Sequence, residues 1–473
     1  MGDFAAINTA LTGLLAHRRA LETISHNIAN AKTDGFTRRR AELSPLGAAA
    51  ATGVWANAGD ASIHGVEVTG ITRLRDELLD QQVRRELGAD ANTSRAAEIL
   101  AGIEQLMPEP SDDGIAAKLA AFWGAWDDAA ARPNDIPTRQ ALLQNADNLA
   151  TTFHRLAASF DALRGQLQDT LSTSVAQINA DAIRVAELNN AIVAATAAGA
   201  DAGDLQDQRD LIVDRLAKAT GATSRAGEFG SVSVFLGGST LVRDGEASAL
   251  SVATGGALDP PLNTMGLNRT ELRWSLDGYP VASLGGDSAA LLAGINETVP
   301  SYLHEIDGLA AAVVSQVNTA HQSGHGLDTI ADVNLNFFDP AGVTAATMGL
   351  STDIAGQPSR VALAAGSGGD LDATLAHQIA ALGDSSTGPD ALHRALVSKL
   401  AIDVNVATNR STVQTRITER AESERESIAG VSLDEEMTNL IATQHAFEAS
   451  SRVLTAVDEM LDVLINRTGA VGR

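Results

Sequence analysis

Both ends of this chain carry apolar residues at alternating steps of three and four, and that spacing dictates how the termini behave. The N-terminal stripe runs Phe4, Ile7, Leu11, Leu14, Leu21 and Ile28, with Arg18 and Ser25 at the intervening steps. The C-terminal stripe runs Leu433, Met437, Leu440, Phe447, Leu454, Leu461 and Ile465, interrupted by Gln444, Ser451 and Asp458. Heptad helices at both ends of one chain are expected to pair as a coiled coil. The first helix is expected over residues 4–28, with Asn30 as a left-handed C-cap and Gly35 as a free turn beyond it. Polar residues at one heptad position weaken such a seam. The ends, about residues 1–40 and 430–473, are therefore expected to be largely disordered in the free monomer and to fold on assembly.

Between the ends the pattern is mostly helical. From 41 to 69 it breaks up, punctuated by Gly47, Gly53, Gly59 and Gly65, with one short strand candidate over 63–68. Helical spacing resumes near Arg73 and stops at Leu106, ahead of Pro108 and Pro110. A further helix follows Gly114, carries Ile115, Leu119, Phe122, Trp123 and Trp126, and stops before Pro133 and Pro137. Leu142, Ala146, Leu149, Phe153, Leu156, Phe160, Leu163 and Leu167 then hold the alternation without a miss, and it persists to Ile192. One helix over 138–198 would be about 90 Å long. It needs antiparallel partners in an elongated bundle to cover its stripe.

In residues 204–217, Leu205, Ile212 and Leu216 mark a core face, while Asp207, Arg209 and Asp210 read as a charged outer face. Such a face is either solvated or engaged between subunits, and exposed ion pairs contribute little. Arg215 in the last turn suits the helix macrodipole. Residues 221–287 change to period two. Val232, Val234 and Leu236 lead through Gly237-Gly238 to Leu241-Val242, and Leu272, Trp274 and Leu276 lead through Asp277-Gly278 to Tyr279, Val281 and Leu284. Gly221 at one end and Gly285-Gly286 at the other suggest an insertion peripheral to the helices. Helix returns from Ser288 to His321. Residues 326–390 are Gly- and Asp-rich, with strand candidates at 336–338 and 361–363, and helix resumes at Ala391. The expected fold is mainly α with a β-rich insertion. It has a terminal coiled-coil domain (1–40 and 430–473), a helical trunk (41–220 and 288–429) and an outer β-rich region (221–287).

Charge and motifs exclude several functions. The 473 residues carry a formal charge of −25, which disfavours nucleic acid and anionic membrane surfaces. Arg38-Arg39-Arg40 is the one dense basic run, and without a wider basic footprint it reads as a solvated turn. There is no cysteine, hence no disulfide and no thiolate metal site. No segment approaches the ~18 apolar residues of a membrane span, and Met1 to Ala5 lacks the basic start of a cleaved secretory signal. His321 and His325, with Asp328 nearby, have helical i, i+4 spacing, but Gly324 and Gly326 spoil the helix and zinc binding is not expected. Gly366-Ser367-Gly368-Gly369 is not a phosphate-binding motif and reads as a loop. Ser432 reads as an N-cap with Glu435 closing a capping box, beside Asp434 and Glu436. No nucleophile–base set is visible, so no catalytic, cofactor or metal site is expected.

The run from Asn27 to Arg38, with Asn30, Thr33, Gly35 and Arg38 in place and Phe36 where the family often has Tyr, resembles the N-terminal motif of the flagellar axial family of rod, hook and hook-associated proteins. Gly430 to Met437 resembles the start of its last helix, and residues 188–192 with 204–217 are most similar to the hook-associated branch. The resemblance implies a structural junction protein between hook and filament, exported through the flagellum's own apparatus. It implies as partners hook protein, further copies of itself, the second junction protein, and a cytoplasmic export chaperone on the C-terminal helix. The axial-core interface it implies consists of Ile7, Leu11, Leu14, Leu21, Ile28, Asn30, Thr33, Gly35, Leu433, Met437, Leu440, Phe447, Leu454, Leu461 and Ile465. A hook or rod subunit is the alternative within the family. A secreted acidic helical hydrolase is the alternative outside it, and would require a deep pocket with converging histidine and carboxylates.

Overall fold

A computed structural model describes residues 2–46, 65–327, 333–365 and 371–463. Ile63, His64, Asp328, Gly366 to Gly369 and Ile465, read above as parts of sites, strands or loops, lie outside the described residues, as do the glycines at 47, 53 and 59. The first helix, α1 (Gly2–Asn30), is followed by two antiparallel strands, β1 (Arg39–Leu46) and β2 (Gly65–Arg73). Only β2 is foreshadowed by the strand candidate. β1 begins within the Arg run read as a solvated turn, at Arg39. Three helices come next: α2 (Glu77–Leu106), capped by the Asp76 carboxylate, α3 (Ile115–Ala131) and α4 (Ile136–Ala197), capped by Asp135. The 62 residues of α4 span about 93 Å at ~1.5 Å per residue. α5 (Gly203–Thr220) turns back along α4.

The β-rich region starts and ends at one point, since the Gly285 N–H donates to the Thr220 carbonyl at 2.9 Å. A Cβ on Gly221, whose φ is 69°, would lie 2.8 Å from the Gly285 backbone. Inside it, β3 (Thr223–Ala226), β4 (Val232–Leu236), β5 (Ser239–Arg243) and β6 (Glu246–Ala247) form one antiparallel sheet, and β7 (Leu250–Ala257) pairs with β8 (Asn268–Trp274). The Gly237-Gly238 hairpin is present. The expected Asp277-Gly278 hairpin forms as a short turn: the Trp274 N–H donates to the Tyr279 carbonyl at 2.9 Å and the Val281 N–H to the Leu272 carbonyl at 2.8 Å, around a bridge from Pro280 to Arg273, while β7 pairs with the other edge of β8. Both sheets lie along α4, and Val234, Leu241, Val242, Leu250 and Trp274 join its buried stripe.

Helix returns as α6 (Gly286–Ala293), a π turn at Gly294–Thr298 and α7 (Val299–His321). Beyond it come two-residue strands β9 (Gly324–His325) and β10 (Ala364–Ala365), α8 (Thr374–Ala380), α9 (Pro389–Ala429) and α10 (Leu433–Asp462). The strand candidates at 336–338 and 361–363 are irregular chain. Phe337 and Phe338 stack instead against Phe122 and Trp126, with ring centroids 5.1–5.9 Å apart across that cluster, because a buried aromatic layer satisfies these side chains better than a lone strand.

Irregular and edge backbone is held by asparagines projecting from helices. Asn27, Asn179, Asn189 and Asn318 each donate to the carbonyl and accept from the N–H of a single residue, respectively Arg39, Leu250, Val232 and Phe338. Asn296 in the π turn does the same to Thr270. Each amide thus replaces the strand partner that an edge would otherwise lack. His321 works alike: Nδ1–H donates to the Leu335 carbonyl at 2.8 Å and Nε2 accepts the Ala362 N–H at 2.8 Å. Both ring nitrogens are engaged with backbone, so the residue that ends α7 also clamps the irregular chain beyond it.

Burial pushes the His321 pKa down to about 4, against 6.5 in the unfolded chain. The neutral ring therefore stabilises the fold above pH 6.5, and this contribution drains away as pH falls toward 4, to a total of about 3 kcal/mol. Urea unfolding at pH 7, 5.5 and 4 is expected to show that loss, and His321→Gln is expected to flatten the profile over the same interval.

Candidate functional site

On α5 the aspartates at 207, 210 and 214 fall at steps of three and four, which places them on one helix face. That face points inward, toward the β1–β2 hairpin, α2 and α9. Asp207 accepts from Arg39 at 3.1 Å and from Arg73 at 2.6 Å. Asp210 accepts from Arg73 at 2.7 Å, from Arg75, and from its neighbour Arg209 at 2.9 Å. Asp214 bridges Arg84 of α2 and Arg425 of α9, at 2.7 Å each. Arg39 also reaches Asp201 and Asp204, and Arg75 reaches Asp80 at 2.7 Å.

The reading of Asp207, Arg209 and Asp210 as an outer face is thus overturned, and so is that of Arg39 as part of a solvated turn: all four are under 8% exposed. Arg215 likewise serves a partner, Asp181 on α4 at 2.9 Å, rather than the helix end alone. Charge spacing identical to that of a core stripe was the legible sign. What hid it was that the arginines lie on distant segments.

Burial sets the energetics. It would raise the Asp210 carboxyl, but Arg209, Arg75, Arg73 and Arg84 together hold it well below the usual range. Burial pulls Arg39 down, and its hydrogen bonds to Asp204 and Asp207 outweigh that and leave it raised. Arg209 is the exception: burial, with repulsion from Arg73 and Arg84, leaves it lowered despite Asp210. Buried ions cost several kcal/mol each unless partnered, so the set stands or falls together.

A second clasp joins the termini to this set. The Glu436 carboxylate, buried at the first turn of α10, accepts from Arg38 Nε at 2.8 Å and from Asn27 Nδ2 at 3.0 Å. Glu435 reaches Arg38 at 2.7 Å rather than closing a capping box, though Ser432 caps α10 as expected. The Arg38 N–H donates to the Ala429 carbonyl at the end of α9. Asn30 ends α1 without a left-handed conformation. Thr33 folds back onto it through both its N–H and its hydroxyl. Gly35, at φ 75°, faces Leu211 so closely that a Cβ would lie 2.3 Å from Leu211 Cγ. The turn is therefore a contact with α5 rather than a free exit.

The α1–α10 seam differs from the expected register. The buried line on α1 passes through Ala10, Gly13, Ala16, Thr23 and Asn27, and a Cβ on Gly13 would sit 3.2 Å from Ser450 Oγ. On α10 Glu436 and Val457 are buried, and Leu440, Phe447, Leu454 and Leu461 half-buried. Ile7, Leu14, Leu21 and Ile28 are half-buried, while Leu11, Leu433 and Met437 are exposed. Arg18, Ser25, Gln444 and Asp458 lie in solvent and Ser451 at its border, not in the seam. Small residues permit close backbone approach and win the contact within one chain, but they bury little area, and the bulky stripe is left beside it.

The described residues contain no group of three metal-binding side chains. One cleft of about 310 Å³ brings His393 within 3.3 Å of Glu109, beside Ser159. The same Glu109 oxygen caps α3 at Ala116, and Ser159 donates to the Arg155 carbonyl of its own helix. The triad geometry a hydrolase needs is not formed there.

The model of the flagellar hook-associated protein FlgK helical domain matches residues 100–338. The chain belongs to the FlgK family of flagellar hook-associated proteins. Models of the basal body rod protein and of the rod protein C-terminal region match residues 7–37 and 423–467, which are α1 with its turn and the clasped start and body of α10. Flagellar hook-associated protein 1 of Bacillus subtilis is 26% identical over 99% of both chains. That of Salmonella typhimurium is 28% identical over 68% of this chain and 57% of its own length. The flagellar hook junction protein FlgK of Burkholderia pseudomallei shares the fold, with a TM-score of 0.62 at 14% identity, over 74% of this chain and all of that one.

Asp210→Asn is expected to lower the unfolding free energy by about 3 kcal/mol or more, since it strands buried arginines. Arg40→Ala, which removes only an exposed pair with Glu42, is expected to change nothing measurable. Guanidinium-free chemical denaturation in urea, with salt varied, checks both, and the Asp210 effect is expected to resist salt.

Proposed function

We propose that this chain is a structural subunit of the bacterial flagellum that joins hook to filament. The observation that carries this reading is family membership across the helical trunk, together with a terminal helix pair whose bulky stripe is left uncovered within one chain. In it, Ile7, Leu11, Leu14, Leu21, Ile28, Leu433, Met437, Leu440, Phe447, Leu454 and Leu461 pack against equivalent helices of neighbouring copies, and Asn30, Thr33 and Gly35 hold the turn beneath them. The terminal pair, trunk and outer β-rich region divide the work: axial core, wall and outer surface. The subunit sits in a ring that continues the hook lattice and presents the opposite face to the second junction protein. Before assembly a cytoplasmic chaperone covers α10, and export proceeds through the flagellar apparatus without a cleaved signal. The role is mechanical, with no reaction assigned.

Deletion of the gene is expected to leave hooks without filaments and to release flagellin into the medium. Electron microscopy of the cells and immunoblots of the supernatant decide it, and normal filaments on the deletion strain would overturn the reading.

A further inference from the structure

We infer that α9 carries a second assembly surface, occupied by the trunk of a neighbouring copy of this chain. Leu392, Ile402, Val406, Val413, Ile417 and Ile428 are all exposed on α9, between 42% and 61%. At ~100° per residue these positions fall within an arc of about 80°, so they form one stripe, and at ~1.5 Å per residue it runs for about 54 Å. The face that packs on α2, through Leu396, Leu400, Ala407 and Ala421, is turned away from it by roughly 100° on the same count. An uncovered apolar strip of that length marks an interaction surface. At Val406 it adjoins an open cleft of about 450 Å³ lined by residues of α2, α7 and α9.

Charge and continuity identify the occupant. The chain carries −25 overall, yet Arg410 and Arg416 stand exposed beside the stripe with no ion-pair partner among the described residues. A surface both apolar and locally basic fits the acidic exterior that another copy presents. The stripe ends at Ile428, five residues before Leu433, where the exposed apolar residues of α10 begin with Leu433 and Met437. This inference rests on the reading of the chain as a multi-copy flagellar subunit.

The test places photo-reactive p-benzoylphenylalanine at Val413 of the full chain in cells and irradiates purified flagella. An adduct of twice the chain's mass, with peptides of this chain on both sides of the link, is expected. An adduct to a different protein, or none although the chain is present in the flagella, overturns the inference and leaves the junction role standing. Absence of the chain from flagella overturns both. In a parallel arm, Ile402→Asp with Val413→Asp is expected to slow self-assembly of the purified chain about tenfold or more, because it buries unpaired charge between copies, with the melting of the monomer unchanged. Assembly at the parental rate also overturns it.

Discussion

Buried carboxylates on one face of α5 have to be neutralised, and everything that touches that face is positioned by the requirement. Asp207, Asp210 and Asp214 draw arginines from β1, β2, the segment before α2, α2 itself and α9. These segments are remote in sequence, and no apolar contact could specify their mutual arrangement so narrowly. A hydrophobic surface tolerates sliding, whereas a bidentate guanidinium tolerates little. The set is costly to bury and strongly destabilising to break. Its value lies in fixing one orientation of the terminal helices relative to the trunk. Arg38 and Glu436 extend that control to α10. For a structural subunit of a hook–filament junction, a defined angle at this joint matters more than a large gain in stability.

The trunk uses a different economy. α4 supplies a straight apolar edge, and the helices and sheets beside it are attached at intervals by amide side chains that clamp one backbone unit each. Asn179 and Asn189 of α4 hold the two sheets in this way, and Asn318 with His321 holds the irregular stretch after α7. The β-rich region is therefore tied to α4 along its length, although it begins and ends at Gly221 and Gly285.

How much of this the sequence disclosed depends on the range of the interaction. Helix periods are local, so the spans of α2, α4 and α7 and the stops at Pro108 and Pro133 were legible. The Gly237-Gly238 hairpin was legible for the same reason. β1 was not, because its Arg-rich start looks polar until Asp201, Asp204 and Asp207 are brought to it by α5. The Asp277-Gly278 turn was legible too, but β7 on the other edge of β8 was not, because its partner lies some twenty residues away in the chain. In the terminal pair the apolar stripe was visible, but Gly13 and Ala16 admit a closer approach than Leu11 and Leu14, and so shift the seam by one position. Of the candidate interface residues that are described, Asn30, Thr33 and Gly35 meet at one turn, and the others line the flanks of the seam. Arg39 was read as solvated, and Arg73 and Asp214 carried no reading as parts of the joint, since each takes its meaning from a partner far away in the chain.

The central claim is that the buried arginine–aspartate set holds the terminal helices at one angle to the trunk. The chain has no cysteine, so spin labels can be placed singly at Asn405→Cys on α9 and Thr438→Cys on α10, both exposed positions. Double electron–electron resonance on labelled chain diluted into assembled unlabelled copies is predicted to give one narrow distance distribution, and Asp207→Ala is predicted to broaden it while the helical circular dichroism stays unchanged. A distribution already broad in the parent, or one equally narrow without Asp207, would contradict the account.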